Sequence, residues 1–278
     1  GCTHGYSRNQ GFNGSAAADN PDCDYTSTFY GTSSAAPVTS GLAALIFEAN
    51  DQLTWRDVQL IMAVTARKID DDFVPVEVDL GNGSQYVAEP GWVQNAAGHW
   101  FHNWYGFGMV NAQAAVNLAR SVDYELLPPY QIIDFVDSAN NSPQAIPDGN
   151  SAGAEKTIVI NDDVTVEAIQ LRFSAVHGRD ADLAVVVRSP SGTEAMVLQP
   201  RSMLVADQSS NVAADLNNTV LLSNAFYGES AQGRWTVRLV DTNSSDFRFQ
   251  AELLNSTGTD TDSVVLTARN PTSAATFD

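Results

Sequence analysis

The stretch Gly31-Thr32-Ser33-Ser34-Ala35-Ala36-Pro37 decides how this chain is interpreted, and a run of small and apolar residues follows it up to Ile46. A serine where a helix begins lies among unpaired backbone N–H groups, near the positive end of the helix dipole. That position favours negative charge, such as the oxyanion that forms when a serine attacks a carbonyl. Gly31 permits a tight turn, Ala35 keeps the first helical turn slim, and Pro37 is tolerated there because its missing N–H costs little. The stretch predicts either a nucleophilic Ser33 or a turn that caps a buried helix over residues 33–50.

The order of motifs along the chain resembles one peptidase family. The pattern Gly-Thr-Ser-x-Ala-x-Pro is similar to the nucleophile motif of the subtilisin-like serine peptidases. Residues 53–59, 92–98 and 105–112 look like segments of the kexin- and furin-like catalytic domain. Residues 183–193, 226–229 and 233–241 are similar to the P domain that follows it in proprotein convertases. The resemblance implies that Ser33 is the catalytic nucleophile, in a turn shaped by Gly31, Thr32, Ala35 and Pro37.

Secondary-structure patterns divide the chain into a helical part and a β-rich part. Thr54 followed by Asp57 predicts a capped second helix, and a third helix is expected over about residues 111–120, whereas residues 70–104 look irregular. From residue 157 onward, about seven short period-two runs predict an all-β sandwich. The resemblance refines this to the α/β C-terminal portion of a subtilase catalytic domain, followed by an all-β jelly-roll sandwich, the P domain.

The expected domain boundaries follow from the change in composition after the third helix. Residues 1–122 are assigned to the C-terminal part of the catalytic domain and residues 123–147 to a proline- and asparagine-rich linker. Residues 148–258 are assigned to the P domain, and residues 259–278 to a final strand or a loose tail.

Composition limits the partners. The formal net charge of −19 argues against binding to nucleic acid or to an anionic membrane surface. No apolar run of about 18 residues predicts a transmembrane helix, and the N-terminal residues do not have the pattern of a signal peptide. The resemblance implies a secreted or periplasmic protein that acts on a protein or peptide substrate.

The two cysteines, Cys2 and Cys23, are the next candidate pair. A zinc site is not expected, because there is no Cys-x-x-Cys and no nearby histidine pair at metal-binding spacing. A disulfide between Cys2 and Cys23 suits a secreted protein, and pairing with cysteines outside this sequence is the alternative.

A serine hydroxyl needs a base to become a nucleophile. Only 32 residues precede Ser33, and their single histidine, His4, is predicted to be an exposed loop residue. His99 and His102 could form a metal pair, but partly exposed loop positions are favoured, and His177 is expected to make a hydrogen-bonded turn at a strand end. The resemblance places the catalytic aspartate and histidine upstream, so the isolated chain is predicted to be inactive and to lack a partner, the N-terminal part of the catalytic domain.

Calcium is the one cofactor that the resemblance implies, because convertases and their bacterial relatives commonly bind it through carboxylates and carbonyls. The candidate ligands are Asp180, Asp182 and Asp241, with the acidic run at residues 70–72 as another set. No fixed-spacing loop supports any of them, so solvated acids are the competing interpretation.

These observations predict a fragment of a secreted serine endopeptidase that hydrolyses peptide bonds through an acyl-enzyme on Ser33. The alternative from another class is a non-catalytic β-sandwich module for adhesion or interaction, which carries a vestigial subtilase segment.

Overall fold

The computed structural model describes residues 30–140, 142–177, 180–201 and 216–244, and the backbone of residues 247–254, 260–268 and 276–277. The helices are α1 (Thr32–Ala49), α2 (Trp55–Thr65) and α3 (Ala112–Ala119). The strands are β1 (Val76–Asp79), β2 (Gln85–Glu89), β3 (Val93–Gln94), β4 (Trp100–Phe101), β5 (Gln144–Ala145), β6 (Ala154–Ile160), β7 (Ile169–Val176), β8 (Leu183–Arg188), β9 (Glu194–Leu198), β10 (Leu216–Ser223), β11 (Gly233–Asp241), β12 (Phe247–Leu254), β13 (Asp260–Ala268) and β14 (Thr276–Phe277).

The described chain forms two compact units. The first contains the three helices and joins the chain up to Ala66 with Val110–Pro128. The second joins Arg67–Met109 with the chain from Pro129 onward. Because residues 67–109 cluster with the β-rich part, the units do not follow the boundaries expected from composition, and those boundaries stay a prediction.

The helical unit is held by one small core. Leu42 and Ile46 of α1 pack with Val58 and Ile61 of α2 and with alanines of α3. The capping box predicted at α2 is confirmed: the Thr54 side chain accepts from the Asp57 N–H, and the Asp57 carboxylate accepts from the Thr54 N–H. Asp57 also ties down the end of the unit, because its carboxylate accepts hydrogen bonds from the Tyr124 hydroxyl and the Leu127 N–H.

The β-rich unit contains two four-stranded sheets that share one apolar core. One sheet has the order β10-β7-β14-β5, and the other has the order β6-β11-β8-β9. Residues from both sheets line the core, among them Phe173 of β7, Val185 of β8 and Trp235 of β11. The all-β sandwich predicted from the sequence is confirmed, whereas its jelly-roll arrangement stays a prediction.

Strand β8 explains why one run of the sequence is apolar without alternation. Its residues at odd positions, such as Val185, face the main core, while Ala184 and Val186 face a second cluster formed with the β1–β2 hairpin. A strand that is buried on both faces lacks the alternation of polar and apolar residues that marks a strand with one exposed face. The hairpin lies within residues 70–104, so the prediction that this stretch is irregular is wrong: β1 pairs with β2 and β3 pairs with β4.

No helix in the described part of the chain combines the length and the hydrophobicity that crossing a membrane would need.

Candidate functional site

Ser33 lies in the first turn of α1, as the sequence predicts, and its side chain is exposed. Gly31 is the N-cap residue with φ 84°, a backbone conformation that favours glycine, and no side chain caps the helix. The Gly31 carbonyl accepts hydrogen bonds from the Ser34 and Ala35 N–H groups at 3.1 and 3.2 Å. The N–H groups of Thr32 and Ser33 precede the first intrahelical bonds and face out of the helix end. The arrangement can therefore present a hydroxyl beside free backbone donors.

Pro37 lies just beyond the first helical turn, in which the sequence analysis places it. It is the sixth residue of α1, inside the helix, rather than a residue of the first turn. A proline there cannot donate the i→i−4 hydrogen bond, and the acceptor it leaves without that bond is the Ser33 carbonyl.

Helix α1 is less buried than expected. The prediction of a buried helix over residues 33–50 is correct for the helix but wrong for its burial, because only Leu42 and Ile46 are buried. Val38 is 66% exposed and Leu45 is 55% exposed, although both lie one turn from Leu42 on the helix surface. Glu48 is the only charged residue of α1. A helix that is apolar on all sides is normally covered on all sides.

No side chain that could act as a base joins Ser33 within the part of the chain that the structure describes, because no hydrogen bond there involves its hydroxyl. The described histidines, His99, His102 and His177, all belong to the β-rich unit, whereas Ser33 belongs to the helical unit. His4, Cys2 and Cys23 lie outside the described residues, so the disulfide and the role of His4 stay predictions.

Two of the calcium candidates lie in one buried hydrogen-bonded network. Asp241 accepts from the Asn243 N–H at 3.1 Å and lies 3.1 Å from Nε2 of His177. Asp182 accepts from the Asn243 side chain at 3.3 Å, and its backbone carbonyl accepts from the Thr242 hydroxyl at 2.7 Å. His177, which directly follows β7, is hydrogen-bonded as expected, whereas the turn predicted there involves residues outside the described ranges and stays a prediction.

This network fits a structural role better than a calcium site. Donors of the chain bond both carboxylate oxygens of Asp241 and one carboxylate oxygen of Asp182, and Asp180 and Asp182 belong to one short 3-10 turn. Within the described ranges no group of three or more His, Cys, Asp or Glu side chains could hold a metal ion. Calcium at Asp180, Asp182 and Asp241 therefore stays a prediction.

The two histidines before α3 differ from each other. His99 is partly buried, in agreement with the sequence analysis, and burial lowers its pKa. His102 is fully buried, so its assignment as a partly exposed loop residue is wrong. It is enclosed by aromatic rings, with the centroid of Phe73 at 4.6 Å and that of Trp92 at 5.3 Å.

A buried polar anchor that the sequence analysis missed joins the loop after β3 to the sandwich. The Asn95 side-chain amide donates to the carbonyls of Ala225 and Tyr227 at 3.0 and 2.9 Å. The next residue, Ala96, donates its N–H to the Thr193 hydroxyl and to the Glu229 carboxylate. Thr193 in turn donates to Glu229 at 2.5 Å. Only the turn motif that ends at Thr193 carried a signal, and it predicted a hairpin rather than an anchor.

Replacing Asn95 with alanine is expected to lower the free energy of unfolding of the β-rich unit by about 2–4 kcal/mol. The substitution removes one hydrogen bond from each of two carbonyls and from the N–H groups of Ala97 and His99. Urea unfolding followed by tryptophan fluorescence measures the loss. The matched control is Gln94→Ala, which removes an exposed hydrogen bond to Gly98 in the same loop and should cost less than about 1 kcal/mol. Equal losses in both variants would contradict the anchor.

Two family models match this chain. Residues 6–108 match the subtilase family, and residues 166–255 match the proprotein convertase P-domain. The helical unit's α1 and α2 and the Asn95 loop lie in the first match, while Thr193, Ala225 and Glu229 lie in the second. The Asn95 anchor therefore joins residues of the two matches.

The known proteins that this chain resembles include a serine protease and a proprotein convertase. An extracellular serine protease of Aeromonas sobria is 34% identical over 271 residues, which cover 92% of this chain and 43% of that protein. The human proprotein convertase subtilisin/kexin type 6 is 31% identical over 219 residues, which cover 76% of this chain and 20% of that protein. The chain spans less than half of the length of these relatives.

The solved structures agree with the sequences. The crystal structure of the serine protease of Aeromonas sobria matches with a TM-score of 0.79 at 33% identity, over 95% of this chain and 45% of that one. The same protease in complex with a chaperone matches with a TM-score of 0.77 at 33% identity, over 92% of this chain and 44% of that one.

Proposed function

We propose a function for this chain, which belongs to the subtilisin-like serine peptidases and carries a proprotein convertase P domain. It is the nucleophile-bearing part of a secreted, kexin-like serine endopeptidase. The observation that carries the proposal is the exposed Ser33 in the first turn of α1, at the serine of the family's nucleophile motif. The extracellular relatives support secretion.

Ser33 would attack the carbonyl of the cleaved peptide bond and form an acyl-enzyme, which water then hydrolyses. The hydroxyl proton must leave to a histidine that an acid orients. Outward-facing N–H groups at the start of α1 would stabilise the oxyanion. Because the 32 residues before Ser33 contain only His4, the 278-residue chain by itself is proposed to be inactive.

The exposed apolar face of α1, defined by Val38 and Leu45, supports a missing protein partner. The two residues are two helical turns apart, so they lie on one side of the helix, and their side chains are 66% and 55% exposed. Covering them would remove apolar area from water, which stabilises an association by roughly 25 cal/mol per Å² before the costs of binding. The partner that fits is the rest of a subtilase catalytic domain, which would also supply the base and its orienting acid.

Co-expression tests this proposal. The partner polypeptide is the portion of the Aeromonas sobria protease that this chain does not cover. We expect a serine-reactive phosphonate probe to label Ser33 and a fluorogenic peptide to be cleaved only when both polypeptides are present. Labelling of Ser33 in the chain alone would overturn the proposed inactivity. Failure of labelling in a complex that has demonstrably assembled would overturn the proposed nucleophile.

The double variant Val38→Lys/Leu45→Lys is expected to reduce assembly with that partner at least tenfold, while the chain alone keeps its helical circular dichroism. Two charges on this face would have to be desolvated in the complex, whereas they are solvated in the chain alone. Val122→Lys is the matched control, because Val122 is 98% exposed beyond α3 and lies off this face. Pull-down yield and dye binding to exposed apolar surface measure the effect. Unchanged assembly of the double variant would exclude this face as the contact.

The P domain would stabilise the catalytic segment through the Asn95 anchor. Two backbone carbonyls and the Glu229 carboxylate of the P-domain match accept hydrogen bonds from the loop after β3, which belongs to the subtilase match. The Aeromonas sobria protease has been solved with a chaperone, and a chaperone is proposed as a further partner here. Calcium binding remains part of the proposal because the family resemblance implies it, and no particular set of ligands in this chain is proposed. The adhesion-module alternative is not favoured, because both family matches and the named relatives are peptidases.

A further inference from the structure

His102 is the one described histidine that is fully enclosed and yet has a ring nitrogen without a hydrogen-bond partner among the described residues, its Nε2. Its other nitrogen, Nδ1, lies 3.0 Å from the Trp104 N–H. A backbone N–H can only donate, so Nδ1 is the acceptor and the neutral ring carries its proton on Nε2. The hydrogen bond between His102 and Trp104 therefore exists only while the imidazole is neutral.

The groups around this ring determine what protonation would do. Phe73, Trp92 and Tyr105 enclose it with ring centroids at 4.6, 5.3 and 4.6 Å. Three charged groups face the cluster. Glu89 has an oxygen 3.9 Å from Nδ1, Asp70 accepts from the Tyr105 hydroxyl at 2.9 Å, and Lys68 lies 5.7 Å from the centroid of the Trp92 ring.

Glu89 offers an acceptor for a proton on Nδ1 of His102, whereas the Trp104 N–H, the present partner of Nδ1, can only donate. Its carboxylate is buried and accepts from the Gly91 N–H at 2.9 Å and from the Asn103 side chain at 3.0 Å. Gln199, which follows β9, also donates to it. The Trp104 ring donates to the same Gln199 at 3.4 Å. A movement of His102 towards Glu89 would therefore disturb the contact between the 102–104 turn and the sandwich.

We propose that His102 is a pH-dependent switch within this aromatic cluster. Protonation of His102 breaks the hydrogen bond from the Trp104 N–H and loosens the 102–104 turn from the sandwich. The added proton takes Nδ1, the atom that accepts the Trp104 hydrogen bond, so both N–H groups would point at each other. The imidazolium instead turns towards the Glu89 carboxylate.

The direction of the pH dependence follows from the surroundings. Burial lowers the pKa of His102, and the nearby charges of Glu89 and Asp70 oppose this only in part. An unfolded or opened histidine titrates near pH 6.5. The closed cluster is therefore fully stable above about pH 6.5 and loses stability as the pH falls through the lower pKa of the closed state, by up to about tenfold in its closing equilibrium per pH unit.

Hydrogen exchange on the full chain between pH 8 and pH 4.5 tests the proposal. After correction for the intrinsic rate, we expect peptides that cover residues 102–106 to lose about tenfold protection on acidification, reversibly, together with a change in tryptophan fluorescence. His102→Asn keeps an acceptor in the place of Nδ1 but does not titrate, so its acid transition should disappear. His99→Asn is the matched control, because His99 lies in the same loop and is only partly buried, and it should keep the transition.

Two results would overturn the proposal: an acid transition that persists unchanged in a folded His102→Asn variant, or full protection of residues 102–106 at pH 4.5 in the unmodified chain. If His102→Asn fails to fold, histidine NMR of the unmodified chain decides instead. A proton on Nε2 at pH 8, together with a His102 titration that coincides with the loss of the Trp104 amide signal, supports the proposed switch. A proton on Nδ1 at pH 8, or a titration that leaves the Trp104 amide protected, excludes it.

Discussion

Replacing Ser33 with alanine is expected to lower kcat/KM of the assembled peptidase by about 10⁴-fold or more, with little change in KM. The hydroxyl makes its bond to the substrate only after binding, so its loss removes transition-state stabilisation and not ground-state affinity. Steady-state hydrolysis of a fluorogenic peptide and phosphonate labelling measure the two parts of the effect.

Ser34→Ala is the matched control for this substitution. The Ser34 hydroxyl donates to the Gly31 carbonyl at 2.8 Å and is the other serine of the same turn. Losing one neutral hydrogen bond there should cost less than about tenfold in rate. If Ser34→Ala abolishes labelling and Ser33→Ala does not, the carry-over of the nucleophile to Ser33 is wrong.

Replacing Asp57 with alanine is expected to destabilise the helical unit by about 3 kcal/mol. The carboxylate is fully buried and accepts from the Thr54 N–H and hydroxyl, the Tyr124 hydroxyl and the Leu127 N–H. Alanine would remove the acceptor of all four hydrogen bonds and with it the capping box of α2. Because all three helices lie in this unit, urea unfolding followed by helical circular dichroism measures the loss.

The same carboxylate makes the stability of the helical unit decrease at low pH. Burial alone would raise the pKa of Asp57, but the hydrogen bonds from Thr54, Leu127 and Tyr124 outweigh it and hold the pKa below its usual range. Its contribution is therefore complete above about pH 3.9 and is lost as the pH falls through the lower folded-state pKa. Asp51→Asn is the control, because Asp51 is exposed and bonds only to the Gln52 side chain. A Asp57→Asn variant with unchanged stability would contradict the role of the charge.

Much of the secondary structure could be predicted from local sequence. The strands β8, β9, β10 and β11 lie within about three residues of the runs that predict them, and α2 begins at its predicted cap. The turn over residues 189–192 is confirmed by the Gly192 N–H bond to the Ser189 carbonyl. These signals succeed because caps, turns and pleats depend on residues within a few positions of each other.

The hairpins within residues 70–104 were missed for the opposite reason. Strand β2 alternates weakly in polarity, and β3 and β4 contain only two residues each. Their stability comes from packing: Val78 and Tyr86 cover the outer face of β8 through Val186. A strand that is stabilised by a partner about 100 residues away carries little of that information in its own neighbourhood.

The sequence by itself determined the order of the parts: a serine at the start of an apolar helix, a capped second helix, and a run of short strands with turns. Those features rest on backbone geometry and on side chains within one or two turns. Only the tertiary structure decided that Asn95 bonds to Ala225 and Tyr227, that His102 is sealed among aromatic rings, and that α1 keeps an apolar face exposed. These outcomes depend on which surfaces meet, because desolvation and hydrogen-bond pairing are set by residues that are distant in sequence.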